Sequence, residues 1–459
     1  MSRAFCPGCW EKQRTIDQLR EENQRLKAQV RYRERQAMEG AFGSSTPSAR
    51  RPLKANSAPE QQGRKGGAKR GHPGHGRTAL TAATAGRSIA VPVNPICPQC
   101  GGPLADKGAR PRSVLDIASP RSEPILYRLG RGYCPRCRRA MQAPLPAVLP
   151  KARFGNELTA QLACLHYLHG IPLGRLCAQL ALSLGSVIEM LHRLAGMLAP
   201  VLPKLIAALR AAPVRHADET AWRTDGHSGY AWLFCTPTLS LFLFRATRSA
   251  AVPQEVLGEA PLSGVLVVDR YSGYNRVPCL LQYCYAHLLR EVEDLGKEFP
   301  DAPEVAAFAA TLIPVLAAAM HLQSQPLSEP EYGAQAVAIQ QQIVATVEQS
   351  AQHLGIRHVQ EIFREHPDRL YHWVHDRRVP ADNNRCERDL RPTVIARKVS
   401  FGSQSDAGAK TREILMSVLH TLRKHHPDPQ SHFKGVLDHL AIHSQPDPFP
   451  LLFPALDSS

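Results

Sequence analysis

Two short apolar runs in the second half of the chain have the pattern of buried β-strands, and each ends in an aspartate. The first covers residues 211–218 and ends at Asp218, and the second covers 264–269 and ends at Asp269. Short apolar, β-branched runs are typical of inner strands in a covered sheet. A carboxylate at each strand end would therefore lie at an edge of the sheet, where ligands commonly bind.

A third acidic residue lies in a segment with helical signals, residues 382–392. Asp382 can cap a helix and Pro392 is expected to limit its far end, so Glu387 should project from a helical turn. Three carboxylates on rigid elements would suit a pair of Mg²⁺ or Mn²⁺ ions, which prefer oxygen ligands and stabilise both reacting oxygens in phosphoryl transfer. Taken alone, these acids could equally be three unrelated surface residues.

The pattern around these runs predicts an α/β core over residues 211–400. Its predicted elements are a hairpin at 230–236 and 239–245, a helix near 248–258 and a helical insertion at about 290–380. Strand alternation points Glu219 to the face opposite Asp218, so Glu219 is left out of the acidic set. Helices are also expected within 401–445, whereas the proline-rich residues 446–459 should form a loose tail.

Residues 151–210 have a helical pattern that resembles a helix-turn-helix. The predicted helices are 173–181 and 186–198, and Ser186 would cap the second one. The best candidates for contacts to DNA bases on the second helix are Glu189, His192 and Arg193. A plain helical hairpin that packs into the core is the open alternative.

The N-terminal part of the chain divides into a charged helical segment, 1–38, and a basic linker, 39–88. An apolar seam from Ile16 to Val30 indicates a short coiled coil, with a solvated single helix as the alternative. The linker is too rich in Gly, Pro, Ser and basic residues to bury a core, and it is either a flexible connection or an arm along DNA phosphates. Its candidate phosphate contacts are Arg64, Lys65, Lys69 and Arg70.

Two Cys-x-x-Cys pairs predict a structural zinc site within residues 89–143. Their four thiolates are Cys97, Cys100, Cys134 and Cys137. Four thiolates complete a tetrahedral zinc site and leave no open position for catalysis. Residues 124–129, between the pairs, are predicted to form a strand. A third pair, Cys6 and Cys9, is either reduced and unligated or shares a metal between two chains.

The chain has 459 residues and a formal net charge of +16, which favours an anionic polymer as partner, although charge alone does not identify it. The N-terminus lacks the apolar stretch of a signal peptide. The longest mostly apolar run, 305–320, contains Thr311 and Pro314 and is too short to span a bilayer comfortably. We therefore expect a cytoplasmic, nucleoid-associated protein with no membrane segment.

Four motifs surround the acidic residues. They are His-Ala-Asp-Glu-Thr at 216–220, Asp-Arg-Tyr-Ser-Gly-Tyr at 269–274, Tyr-Cys-Tyr-Ala-His-Leu-Leu-Arg at 283–290, and Asp-Asn-Asn-x-x-Glu-Arg-x-Leu-Arg-Pro at 382–392. In this order they resemble the transposases of the insertion-sequence-66 family, and the likeness extends to about residue 440. The resemblance implies an RNase H-like core in which the strands of Asp218 and Asp269 are neighbours and Asp218, Asp269 and Glu387 form a metal-binding Asp-Asp-Glu triad. It also implies a zinc ribbon and an N-terminal coiled coil.

The predicted fold class is multidomain α+β. It comprises an N-terminal helix or coiled coil, a zinc ribbon, a helical DNA-binding segment, and an RNase H-like α/β catalytic core with a helical insertion. A basic edge beside Glu387 is expected to contact phosphates through Arg388, Arg391, Arg397 and Lys398.

The implied function is that of a bacterial insertion-sequence transposase, which binds element ends and catalyses metal-dependent strand cleavage and transfer. Its expected partners are element and target DNA, further copies of the chain and possible accessory proteins. A non-catalytic, zinc-containing DNA-binding regulator is the first alternative, and the intact acidic triad disfavours it. A nuclease without strand transfer is the second, and it would hardly need the zinc ribbon, dimerising helix and basic arm.

Overall fold

The computed structural model describes residues 22–23, 122, 124–129, 131–134, 139–142, 145–443 and 447–457, with backbone alone for 131–134 and 139–142. Glu22 and Asn23 are helical. The remainder of the predicted N-terminal helix, the linker and its basic residues, and Cys97, Cys100 and Cys137 lie outside the described residues.

A two-stranded antiparallel hairpin precedes the helical region. Strand β1 (Arg131–Cys134) pairs with β2 (Arg139–Gln142), and Cys134 lies opposite Arg139. The strand predicted over residues 124–129 is wrong, because this segment has no regular secondary structure. Its apolar Ile125 and Leu126 are 63% and 80% exposed, so these side chains are not buried as those of an inner strand would be.

The helical region contains four helices. They are α1 (Asn156–Tyr167), α2 (Leu173–Leu180), α3 (Leu184–Leu198) and α4 (Val201–Ala211). The predicted helix pair is present as α2 and α3, bent by 118° at the turn. Ser186 lies inside α3, whose N-cap is Ser183, so the predicted capping role of Ser186 is wrong.

A five-stranded mixed sheet forms the centre of the fold. Its strands are β3 (Val214–Thr224), β4 (His227–Cys235), β5 (Ser240–Arg245), β6 (Val265–Val268) and β7 (Leu280–Tyr283). The spatial order is β5-β4-β3-β6-β7, antiparallel through β5, β4 and β3, and parallel from β3 through β6 to β7. The predicted hairpin is β4–β5, and the two strands associated with Asp218 and Asp269 are neighbours, as predicted.

One helix connects β5 to β6, and five more follow β7. They are α5 (Ala251–Leu257), α6 (Tyr285–Glu298), α7 (Pro303–Leu322), α8 (Glu329–Val347), α9 (Leu354–Glu365) and α10 (His372–His375). Among the described residues, α7 is long and apolar enough to cross a membrane, with a mean hydropathy of 2.0, as α2 and α3 would be if counted as one bent span. Core helices share this composition, and α7 packs against α6 and α8.

The C-terminal segment consists of five helices. They are α11 (Asn384–Ser400), α12 (Asp406–His425), α13 (Pro429–Ile442), α14 (Pro448–Leu452) and α15 (Pro454–Asp457). Pro392 lies inside α11 and does not end it, so the predicted helix limit is wrong. The described part of the predicted loose tail, 447–457, is helical, and its Phe449, Leu452 and Phe453 are buried. Burial of these apolar side chains offsets the entropy cost of ordering the segment.

Helix α12 covers the edge of the sheet and satisfies its free hydrogen-bond donors. Alternate N–H groups of β5, at Ser240, Phe242 and Phe244, donate to side chains of α12. The three acceptors are spaced four residues apart along the helix and are Thr421, Ser417 and Glu413. The spacing of four matches one helical face, so polar residues in this buried helix complete the edge strand.

Candidate active site

Asp218 and Asp269 come from neighbouring parallel strands at the centre of the sheet. His216 of β3 lies opposite Val267 of β6, and the same register continued by two residues would place Asp218 opposite Asp269. Asp269 directly follows β6, as predicted. Asp218 lies in the middle of β3, which continues to Thr224, so its predicted position at a strand end is wrong. The antiparallel partner β4 extends the strand past the carboxylate.

Asn383 attaches the start of α11 to β3. Its Oδ1 accepts a hydrogen bond from His216 Nδ1 at 2.9 Å, and its Nδ2 donates to the Ala217 carbonyl at 2.8 Å. Its backbone N–H donates to Cys284 Sγ at 3.1 Å. Asn383 is 1% exposed, so these bonds form away from water. They fix the helix that carries Glu387 immediately beside the residue that precedes Asp218.

Glu387 lies one turn into α11, against the face of the sheet that carries Asp218. Its neighbour Cys386 is buried with Sγ 3.6 Å from the carbonyl oxygen of Leu233, which is the cross-strand partner of Asp218. Arg290 of α6 donates to Glu387 Oε1 at 3.0 Å. This ion pair orients the carboxylate and is only partly exposed on both sides.

The electrostatics of the site connect Asp218 with its acidic neighbours. Burial raises the pKa of Asp218 well above its usual range, and the negative charges of Glu219, Asp269 and Glu387 raise it further. Burial also raises the pKa of Asp269, while the Tyr271 N–H, Arg248 and Arg270 act in the opposite direction. Repulsion among acids at one site is the arrangement that a bound cation would relieve.

Glu219 belongs to a separate network on the other face of β3. It is 1% exposed, forms an ion pair with Arg248 and accepts a hydrogen bond from the Tyr274 hydroxyl at 2.5 Å. Tyr274 follows Asp269 by five residues, in a 3₁₀ turn, and the Arg248 guanidinium lies 3.9 Å from the centre of the Tyr271 ring. The network therefore packs the segment after Asp269 against the sheet.

The donor set fits the ions that the acidic residues imply. Carboxylate oxygens are the ligands that Mg²⁺ and Mn²⁺ prefer, and Asp218, Asp269 and Glu387 are each half-buried. Among the described residues, the possible metal ligands whose atoms lie within 4.8 Å of one another are Cys284, His287 and Glu387, a group that contains Glu387 but neither aspartate. Burial lowers the pKa of His287 to about 3, so its imidazole is neutral near pH 7.

The basic edge beside Glu387 contains three of its four predicted members. Arg388, Arg391 and Lys398 are exposed on α11. Arg397 is 6% exposed and donates to Thr220 Oγ1 at 3.0 Å and to the Ala221 carbonyl at 2.8 Å. The prediction that Arg397 belongs to the basic edge is therefore wrong, because its guanidinium is used to hold α11 on β3.

Two candidate base contacts on α3 already have protein partners. The ring Nδ1 of His192 lies 2.6 Å from Thr411 Oγ1, and Arg193 donates to the carbonyls of Lys151 and Pro150. Glu189 is exposed. These contacts fit a helix that packs within the fold better than one that reads bases.

The sequence analysis missed Asn383 and Arg290 as residues of the site. Both lie in the motifs that contain the acids or His287, yet nothing in their local pattern assigns them a partner. The available signal was a polar Asn at the start of a predicted helix, which is usually a cap. Its side chain instead bonds to β3, 166 and 167 residues away in sequence.

Comparison with known proteins identifies the family. The family model described as "Transposase IS66 family" matches residues 151–411, more than half of the chain. The uncharacterized protein y4hP of Sinorhizobium fredii is 22% identical over 393 residues, which cover 76% of this chain and 71% of that protein. The uncharacterized protein y4qI of the same organism is 24% identical over 376 residues, 71% of this chain and 67% of that protein. This chain belongs to the IS66 transposase family.

Proposed function

We propose that the protein is a DNA transposase that cleaves the ends of its element and joins them to target DNA. Asp218, Asp269 and Glu387 would be the catalytic, metal-binding triad of an RNase H-like core. The observation that carries this proposal is the meeting of β3, the end of β6 and α11, where burial and then the charges of Glu219, Asp269 and Glu387 raise the pKa of Asp218.

Some residues of the site would bind the metal ions, and others would fix the positions of those ligands. Two Mg²⁺ or Mn²⁺ ions would stabilise the attacking and leaving oxygens of an in-line displacement at a phosphodiester. Asp218, Asp269 and Glu387 would hold them, and Arg290 would keep the Glu387 carboxylate in place. Asn383 would fix α11 on β3, and the Glu219–Arg248 network would fix the segment after Asp269.

DNA is the proposed partner, held mainly through its phosphates. Arg388, Arg391 and Lys398 are exposed on the helix that carries Glu387, and the chain has a net charge of +16. Phosphate contacts of this kind make affinity depend on salt concentration. Arg64, Lys65, Lys69 and Arg70 are proposed to add contacts from the basic linker. We further propose a homo-oligomer that acts in the cytoplasm, at the nucleoid.

A structural zinc ion is proposed for Cys97, Cys100, Cys134 and Cys137. The supporting observation is that Cys134 is the last residue of β1, which pairs with β2 in a hairpin, and that Cys137 follows it by three residues in sequence. Thiolate pairs at hairpin ends are typical of zinc ribbons. Cys134→Ser should lower the zinc content of the purified protein, and an unchanged content would exclude this ligand.

The triad is tested by strand cleavage of a supercoiled plasmid that carries the DNA flanking the coding sequence. Asp218→Asn, Asp269→Asn and Glu387→Gln should each abolish Mn²⁺-dependent cleavage, because each removes a charged ligand. Binding to a labelled duplex should persist, since its affinity comes mainly from basic side chains. Asp225→Asn, in the exposed β3–β4 turn, is the matched control and should cleave normally.

Two outcomes would contradict the proposal. Cleavage near the parent rate by any triad variant would remove that residue from the site. Binding without cleavage by the unaltered protein, in both Mg²⁺ and Mn²⁺, would favour a DNA-binding regulator instead.

A further inference from the structure

The exposed face of α11 combines basic and apolar side chains in one row. Arg388, Arg391, Ile395 and Lys398 follow one another at steps of three and four residues, which places them on the same side of the helix. Ile395 is 54% exposed, and Val399, one turn further along, is 40% exposed. A solvated helix face does not need these apolar side chains, so the row has the composition of a contact surface.

Phe401 ends this row and is the most exposed phenylalanine of the described residues, at 63%. It adopts the left-handed backbone conformation, with φ 61°, which is unfavourable for a bulky residue. Most of this aromatic side chain therefore faces solvent, where the flat face of a ligand could reach it.

The backbone beside Phe401 is fixed to the end of β3. Ser403 N donates to the Arg223 carbonyl at 2.8 Å, and Asp225 N donates to the Ser403 carbonyl at 2.9 Å. Gly402 lies so close to β3 that a Cβ atom there would be 2.2 Å from the Arg223 carbonyl oxygen. The backbone that carries Phe401 is thus anchored, so only the side chain would have to be ordered when a partner binds, which lowers the entropy cost of binding.

The row leads away from the acidic site along a helix. Glu387 and Phe401 are 14 residues apart, which corresponds to about 21 Å along α11 at 1.5 Å per residue. A nucleic acid strand that passed the carboxylates could follow the basic side chains to the aromatic ring. Flat apolar rings beside a basic track are the recurrent means of holding unpaired bases.

We propose that this face of α11 binds single-stranded DNA, with phosphates on Arg388, Arg391 and Lys398 and an unpaired base stacked on Phe401. This deepens the proposed function, because it makes a melted strand near the cleavage site the ligand. Stacking would be tolerant of sequence, since every base has a flat face. Ile395 and Val399 would contact the sugars and bases between the two ends of the row.

The test measures binding of the full chain to a fluorescent 20-nucleotide dT strand in EDTA, so that cleavage plays no part. Phe401→Ala should weaken binding roughly 5- to 100-fold, and Phe401→Trp should restore it. The salt dependence of binding by Phe401→Ala should equal that of the parent, because the basic side chains are unchanged. Arg391→Ala should instead make the slope of log affinity against log salt concentration shallower by about 1, which is the contribution of one phosphate contact.

Leu354→Ala is the matched control, because Leu354 is 59% exposed on α9, away from α11, and should not affect binding. A dT strand carrying 5-iodouracil should also crosslink to Phe401, as located by mass spectrometry of the digested protein. Phe401→Ala binding within twofold of the parent, or a crosslink that maps elsewhere with none at Phe401, would overturn the proposal. Triad variants should bind the dT strand normally without cleaving DNA. The proposal of strand binding on α11 and the proposal of the catalytic triad are therefore tested by different measurements.

Discussion

Replacement of Asn383 by alanine tests whether the helix that carries Glu387 is held in place by this one side chain. The substitution removes the acceptor for His216 Nδ1 and the donor to the Ala217 carbonyl, at 2.9 and 2.8 Å. His216 is 2% exposed and Ala217 is fully buried, so water does not readily replace the lost groups. Buried groups left without partners cost about 1–3 kcal/mol each, so the two groups together predict a loss of roughly 2–6 kcal/mol in the free energy of unfolding.

The measurement is urea unfolding of the variant and the parent at pH 7, followed by tryptophan fluorescence. Asn384→Ala is the matched control, because Asn384 is exposed and its side chain donates only to its neighbour Asp382. We expect that control to change the free energy of unfolding by less than about 0.5 kcal/mol, as is usual for surface substitutions. If Asn383→Ala changed the free energy of unfolding no more than Asn384→Ala does, the reasoning would be refuted.

Function should respond to the same change more strongly than stability alone explains. If Asn383 positions α11, then at a temperature where Asn383→Ala is fully folded, cleavage should fall while binding of the dT strand is kept. The Glu387 carboxylate would be displaced from Asp218 and Asp269, although the basic face of the helix would remain. Equal cleavage by folded variant and parent would limit Asn383 to a structural role.

Two further predictions concern α12. Ser417→Ala should lower the free energy of unfolding in urea by about 1–3 kcal/mol. The reason is that the buried N–H of Phe242, in the edge strand, donates to Ser417 Oγ at 2.9 Å and would lose this acceptor. An unchanged free energy of unfolding would contradict this, because it would mean that another acceptor replaces Ser417. Burial lowers the pKa of His420 from 6.5 in the unfolded chain to about 3 in the folded protein. Between these two pH values the unfolded chain binds a proton that the folded protein does not, so the free energy of unfolding decreases as pH falls below 6.5. Between pH 7 and pH 5 the parent should therefore lose about 2 kcal/mol more than His420→Gln, and parallel pH profiles would contradict this.

The local pattern of the sequence was sufficient to predict most elements of the five-stranded sheet region. The hairpin β4–β5, helix α5 and the strand before Asp269 were predicted within a few residues, because apolar runs and turn residues act over short distances. The adjacency of β3 and β6 came from the family resemblance and not from these patterns. The predicted end of a helix at Pro392 and the predicted start of a loose tail at residue 446 were wrong, because tertiary packing overrode the local signals of proline.

By itself, then, the sequence determined which residues carry charge, where strands and helices form, and that the chain resembles a transposase family. The tertiary structure decided which of those charges act together. Arg397 and Arg391 are both basic residues of α11, yet one is buried on β3 and the other is exposed. Asn383 looks like an ordinary cap and is bonded to a strand 166 residues away in sequence. Partners so far apart are selected by packing of whole elements, which no local pattern of side chains encodes.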